Sequence, residues 1–301
     1  MAFDLRQLRA LNAISKYGGF SSAAREINIT QPTLSTHIRN LEAQLGVRLF
    51  DRSGRSVTLT PAGKVFADYA RKIMDLCDQS VQAVQVFLGE MKGEVTLEAS
   101  TVPGEYLLPR WLGSFTRMYP EIKITLRVSD SAAVKEKVGL GEIPMGVTGS
   151  PAGHPLQSHL LCDDEIIFVA PGELVQSNKA GTELDAVGLS ALPIIKREPG
   201  SGTQETVEKA LKESGMEPDD LNWIATLGST QAVIEGVMAG LGSSFLSKRT
   251  VENKLSSGEL VRMSVMGLRI KRGFYILTHS ARSISPVAQE LLDYLLIAGK
   301  D

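Results

Sequence analysis

Apolar residues at helical spacing open the chain: Leu5, Leu8, Leu11 and Ile14 recur every three positions, with Ala10 and Ala13 beside them, and predict an amphipathic helix ending at Gly18-Gly19. A short second helix is expected next, capped by Ser21 or Ser22 and carrying Ala23, Ala24 and Ile27, whose small alanines let a neighbouring helix come close. Thr30 is placed to cap a third helix with Pro32 in its first turn, where the backbone N–H groups have no intrahelical acceptor to lose. Along that helix Leu34, Ile38, Leu41 and Leu45 form one apolar stripe as far as Gly46, so Gln31, Thr33, Ser35, Thr36 and Arg39 fall on the polar side. Arg48 to Leu59, RLFDRSGRSVTL, then reads as a hairpin, with Ser53-Gly54 at the turn and Val57 and Leu59 alternating with polar neighbours.

The next pattern is longer. After Thr60 as cap and Pro61 in the first turn, apolar positions fall at Phe66, Ala70, Ile73, Cys77, Val81, Val84 and Leu88, close to a heptad seam over about 30 residues. So long a helix with one apolar edge and little support is marginal alone, which predicts pairing with a second copy; packing on its own chain is the alternative. Gly93 marks a change of period, after which β-type runs alternate with helical ones: VTLEAS (95–100), IKITLRV (122–128), IIFVA (166–170), PIIKRE (193–198), WIATL (223–227) and FYILT (274–278). That alternation predicts an α/β body with mostly parallel sheets, whose ligands bind where strand carboxyl ends meet helix amino ends.

Three such junctions are rich in glycine and hydroxyls: Ser100-Thr101-Val102-Pro103-Gly104, Gly200-Ser201-Gly202-Thr203 and Gly228-Ser229-Thr230. Free N–H groups beside Ser or Thr hydroxyls suit a carboxylate or oxyanion. Taken singly, each reads first as an ordinary N-cap, and together they make a site only if the fold gathers them at one cleft.

Size and charge sharpen the picture. A chain of 301 residues exceeds one ordinary domain. With 43% hydrophobic and 22% charged residues, no apolar run long enough for a span and the polar start MAFDLRQLRAL, a soluble cytoplasmic protein without a membrane partner is expected. The two cysteines, Cys77 and Cys162, have no metal-ligand spacing and read as reduced thiols. Residues 1–65 hold nine Lys and Arg against four Asp and Glu, whereas the remainder holds 23 against 30. A basic head on an acidic body points to a polyanionic partner for the head. The polar side of the third helix suits a major groove, where Gln can bond adenine bidentately and Ser or Thr can donate or accept. Arg48, Arg52 and Arg55 on the hairpin add guanidinium groups for phosphates. A plain three-helix bundle is the alternative.

Residues 20–63, FSSAAREINITQPTLSTHIRNLEAQLGVRLFDRSGRSVTLTPAG, resemble the DNA-binding signature of LysR-type transcriptional regulators almost without a gap. The resemblance implies an α/β multidomain protein: a winged helix-turn-helix over 1–59, a linker and dimerisation helix over 60–90, and a two-lobed domain over 91–301 similar to type 2 periplasmic binding proteins. Lobe I would take about 91–165 plus 268–301, and lobe II about 166–267. Carried over by position, the groove-facing residues are Gln31, Pro32, Ser35 and Thr36, with Arg52 and Arg55 on the wing; Thr33 and Arg39 share the polar side of the helix. Thr36 departs from the arginine many relatives carry.

The implied partners are double-stranded promoter DNA and further copies of the chain, as dimer or tetramer, with RNA polymerase a candidate. The implied effector lies between the lobes on Ser100, Thr101, Val102, Ser201, Gly202, Thr203, Ser229 and Thr230, with Lys196 or Arg197 as the nearest positive charge; no cofactor or metal is expected. It would be an inorganic oxyanion, a carboxylate or a sulfur metabolite, since STVPGEYLLP and GSTQAVIEGVMAGLGSSFLS resemble members tied to sulfur or selenium assimilation.

Other classes fit poorly. GSGTQE lacks the GK[ST] ending of a phosphate loop. His37, His154, His159 and His279 have no GxSxG partner, so a hydrolase is not expected. A free solute-binding protein would need export and would have no use for a basic helical head.

Overall fold

Caps set the ends of the N-terminal helices in the computed structural model, which describes residues 3–51, 57–88, 90–172 and 183–300. Helix α1 (Leu5–Tyr17) begins with a reciprocal pair: the Asp4 carboxylate accepts from Gln7 N–H at 2.9 Å and the Gln7 side chain accepts from Asp4 N–H at 2.9 Å. It ends where Gly18 turns left-handed at φ 69. Helix α2 (Phe20–Glu26) corrects the expected serine cap, because Gly19 is its N-cap and the Ser22 hydroxyl donates back to the Tyr17 and Gly19 carbonyls. Helix α3 (Gln31–Leu45) starts as predicted, with Thr30 Oγ1 accepting from Thr33 N–H at 3.3 Å. Leu8, Leu11, Ile14, Leu34, Ile38 and Leu41 close one core with the two alanines of α2. The hairpin strands β1 (Phe50–Asp51) and β2 (Thr58–Leu59) pair antiparallel, Phe50 opposite Leu59. The turn at Ser53-Gly54, with Arg52 and Arg55, lies outside the described residues.

Helix α4 (Pro61–Phe87) is anchored by Thr60, whose hydroxyl accepts from Gly63 N–H at 2.9 Å and donates to the Arg48 carbonyl at 2.8 Å. Its apolar seam is divided. Ala67 and Ala70 are buried in the head core with Phe66, Ile73 and Met74 against them, and Phe66 meets Phe3 edge-on at 5.5 Å. Beyond them Val81, Val84, Phe87 and Leu88 are exposed. The chain forms two compact units, Met1–Leu88 and Gly89–Asp301.

The second unit is built on one nine-stranded sheet. Its strands are β3 (Gly93–Ser100), β4 (Ile122–Ser129), β5 (Met145–Thr148), β6 (Leu156–Pro171), β7 (Ile194–Arg197), β8 (Trp223–Leu227), β9 (Ser243–Ser247), β10 (Leu260–Met263) and β11 (Ile270–His279). They run in the order β4-β3-β5-β11-β6-β9-β7-β8, with β10 beside β6. Helices α5 (Leu108–Met118), α6 (Ser131–Leu140), α7 (Ala186–Ala191), α8 (Gly202–Glu213), α9 (Thr230–Met238), α10 (Lys248–Ser257) and α11 (Pro286–Ala298) connect or cover them.

The expectation of mostly parallel sheets is corrected. Strands β3, β4 and β5 pair in parallel, as do β7, β8 and β9, but every pair made by β6 or β11 is antiparallel. Those two long strands pass from one hydrophobic core to another without a crossover helix between them. Leu161 of β6 and Phe274 of β11 belong to a core with Leu97, Phe115 and Leu291. Farther along β6, Ile166 and Phe168 pack with Leu211 and Phe245 on one face, and Ile167 and Val169 with Ile234 and Leu246 on the other. A strand buried on both faces reads as a continuous apolar run, which is why IIFVA was visible and the polar-mixed stretch 156–165 was not. Among the described residues no helix is long and apolar enough to cross a membrane.

Candidate functional site

On the head, the apolar stripe of α3 turns inward and leaves Gln31, Pro32, Thr33, Thr36 and Arg39 exposed, with Ser35 half-buried. Their free hydrogen-bonding capacity differs. The Gln31 side-chain oxygen accepts from the Ser21 hydroxyl at 3.2 Å, leaving its amide N–H groups to donate outward. The Thr36 hydroxyl donates to the Pro32 carbonyl at 2.9 Å and so offers only its lone pairs. Ser35 and Arg39 have no hydrogen-bond or ion-pair partner among the described residues.

In the second unit, strand ends bring the junctions together. Ser100 closes β3, Arg197 closes β7, and β11 passes between their cores with Arg272 near its start. Ser100, Thr101, Val102, Ser201, Gly202 and Thr203 border one cavity, together with Asp130, Ser131, Arg197 and Arg272. Thr230 joins this group through hydrogen bonds: Arg197 Nη1 donates to its hydroxyl at 2.7 Å, and Thr230 and Thr101 hydroxyls lie 3.2 Å apart. Ser229 does the ordinary work of an N-cap, accepting from Ala232 N–H at 3.1 Å. Ser201, by contrast, caps nothing with its side chain, so the amino end of α8 is left without that acceptor. Lys196 does not border the cavity. Alternation along β7 puts it opposite Arg197, with its ammonium 5.9 Å from the Trp223 ring centroid.

Two guanidinium groups dominate the cavity. Arg197 is 4% exposed and forks onto Glu198 with two bonds of 2.8 Å. Arg272 donates from Nε to Asp164 at 2.8 Å and from Nη1 to Thr203 at 2.9 Å, while its Nη2 has no acceptor. The Arg272 and Asp164 side chains are 4% and 0% exposed. Burial pushes the Arg272 pKa below the usual guanidinium range; Asp164 acts against that fall and Arg197 adds to it. The Ser247 hydroxyl holds the other Asp164 oxygen at 2.6 Å. These groups nearly fill the cavity, which measures about 10 Å³, room for roughly one water.

The sequence reading missed Arg272 and Asp164. Both stand beside apolar runs and look like strand-end charges, but β11 begins at Ile270, so Arg272 lies inside a strand with Ile270 and Phe274 buried on either side. A charge two positions from apolar residues in both directions was the available signal.

Comparison with known proteins matches residues 5–64 to the bacterial regulatory helix-turn-helix protein, lysR family, and residues 88–299 to the LysR substrate binding domain. The HTH-type transcriptional regulator CbbR of Rhodospirillum rubrum is 30% identical over 98% of this chain and 97% of its own length. Among solved structures, a full-length OxyR variant from Pseudomonas aeruginosa shares the fold with a TM-score of 0.75 at 20% identity, covering 100% of this chain and 95% of that one. The Synechocystis CcmR regulatory domain in complex with 2-PG is 25% identical, with a TM-score of 0.63, over 70% of this chain and 99% of that domain. The helix-turn-helix head, the ligand-domain fold and both family matches agree: the chain belongs to the LysR family and is a DNA-binding transcriptional regulator with a small-molecule-binding C-terminal domain.

Proposed function

We propose that the effector is a small anion, an oxyanion or a carboxylate, held where Ser100, Thr101, Ser201, Thr203 and Thr230 meet Arg197 and Arg272. The observation that carries this reading is the pair of buried guanidinium groups bordering one hydroxyl-lined cavity. Each guanidinium has a carboxylate already, Glu198 for Arg197 and Asp164 for Arg272, but Arg272 Nη2 has no acceptor, and an anion there would accept from it and from the hydroxyls. The 2-PG bound to the CcmR regulatory domain is consistent with a ligand at such a domain. Because the cavity has room for about one water, a metabolite enters only as the segments 91–165 with 268–301 and 166–267, the two lobes of this reading, move apart.

On the DNA side, Gln31, Pro32, Thr33, Ser35, Thr36 and Arg39 read the major groove, and Arg52 and Arg55 approach the backbone from the wing. Two copies joined along α4, in the cytoplasm, would present two such helices to a roughly palindromic operator. The effector biases the protein between states by its differential affinity, commonly about 1–3 kcal/mol.

A thermal-shift panel on the full chain tests the anion reading, with sulfate, phosphate, thiosulfate, small carboxylates and matched neutral compounds at constant ionic strength. One anion should raise the melting temperature selectively, and Thr203→Val should abolish most of the rise. A rise with a neutral compound alone, or one untouched by Thr203→Val, would remove the anion from this cleft.

A further inference from the structure

A second cavity, about 680 Å³, lies among residues that the cleft does not use, apart from Arg272. Six of its bordering residues are cationic: Lys248, Arg249, Arg262, Arg269, Lys271 and Arg272. Its acids are partly spent. Glu165 holds Arg262 at 2.6 Å and Asp164 holds Arg272 at 2.8 Å, while Arg249 donates to the backbone carbonyl of Asp163 at 2.9 Å. Lys248, Arg269 and Lys271 have no acceptor among the described residues. The side chains of Asp163 and Glu252 are the acids left over, so the uncommitted charge is positive.

Two further features favour an anion here. Helix α10 (Lys248–Ser257) has ten residues and no side-chain cap, because its N-cap Ser247 turns its hydroxyl to Asp164 at 2.6 Å. Its first residues, Lys248 and Arg249, border the cavity, so uncapped N–H groups and cationic side chains occur together. Arg272, fixed by Asp164 and Thr203, also borders it and adds a sixth cationic group. The volume falls in the roughly 300–1,000 Å³ range of small-molecule pockets.

We propose that this cavity is a second anion site, distinct from the cleft, that takes a multiply charged phosphate group. Single-charge carboxylates would engage one or two of the cations, whereas a phosphate ester or pyrophosphate spans several, with the guanidinium forks suited to its oxygens. The site shares Arg272 with the cleft, but its other five cations do not border the cleft.

Calorimetric titration of the full chain with inorganic pyrophosphate at constant ionic strength tests it, with sulfate as the matched control. Wild type and Ser100→Ala, a cleft variant that touches no residue of this cavity, should bind pyrophosphate saturably, one per chain and with equal affinity. The variant carrying K248Q, R269Q and K271Q, all exposed positions, should bind at least tenfold more weakly. Glu252→Gln, which removes a competing charge, should bind more tightly. Non-saturable heat, an equal response to sulfate, undiminished binding by the triple variant, or loss confined to Ser100→Ala would each overturn the proposal.

Discussion

Gly63 shows how one residue positions a helix. A Cβ built there would sit 2.0 Å from the Leu49 carbonyl oxygen, so α4 can approach the hairpin this closely only because position 63 has no side chain. Gly63→Ala should therefore destabilise the head by about 1–3 kcal/mol, the usual cost of overpacking. Equal melting temperatures for variant and wild type would show that the contact relaxes freely. The same scale separates Arg197 from Lys196. Both were legible as basic residues near a junction, but strand alternation sends one to the cavity and the other to Trp223. Periodicity reveals that neighbours point to opposite faces; which face borders the cavity depends on the strands alongside.

At the scale of elements, α4 is where a one-dimensional pattern had two physical outcomes. Heptad-like spacing ran from Phe66 to Leu88, yet the head core takes the first half and leaves the second uncovered, with Val84 59% and Phe87 89% exposed. Leaving such a stripe in water forgoes the burial of several side chains, each worth about 1.5–3 kcal/mol. Val84→Asp with Phe87→Asp should consequently convert the protein to monomers in sedimentation velocity while leaving its helical content unchanged; an unaltered oligomer would place the contact elsewhere. The short strands β5, β9 and β10 escaped the sequence reading for a different reason. In β9, for example, SSFLS at 243–247 is three-fifths serine, and two of its buried hydroxyls are satisfied by partners far along the chain, the Ile195 carbonyl for Ser244 and Asp164 for Ser247.

For the whole molecule, DNA recognition and effector recognition fall on separate units, Met1–Leu88 and Gly89–Asp301. Gln31→Ala should weaken operator binding by about 1–3 kcal/mol, the scale of one good base contact, while the effector-induced rise in melting temperature stays as in wild type. Loss of both in gel-shift and thermal-shift measurements would mean that Gln31 supports the fold rather than the reading of DNA.

Local order in the chain was enough to determine the three head helices, the thermodynamic need to cover α4, six of the strands and the three hydroxyl-rich junctions, because caps and hydrophobic periods act over a few residues. Tertiary structure alone decided that β6 and β11 run antiparallel between two cores. It also decided that Arg197 and Arg272, 75 positions apart, border one cavity, and that half of the α4 seam is consumed within the head. Those outcomes depend on which distant surfaces compete for the same side chain, and that competition is settled only when the chain closes on itself.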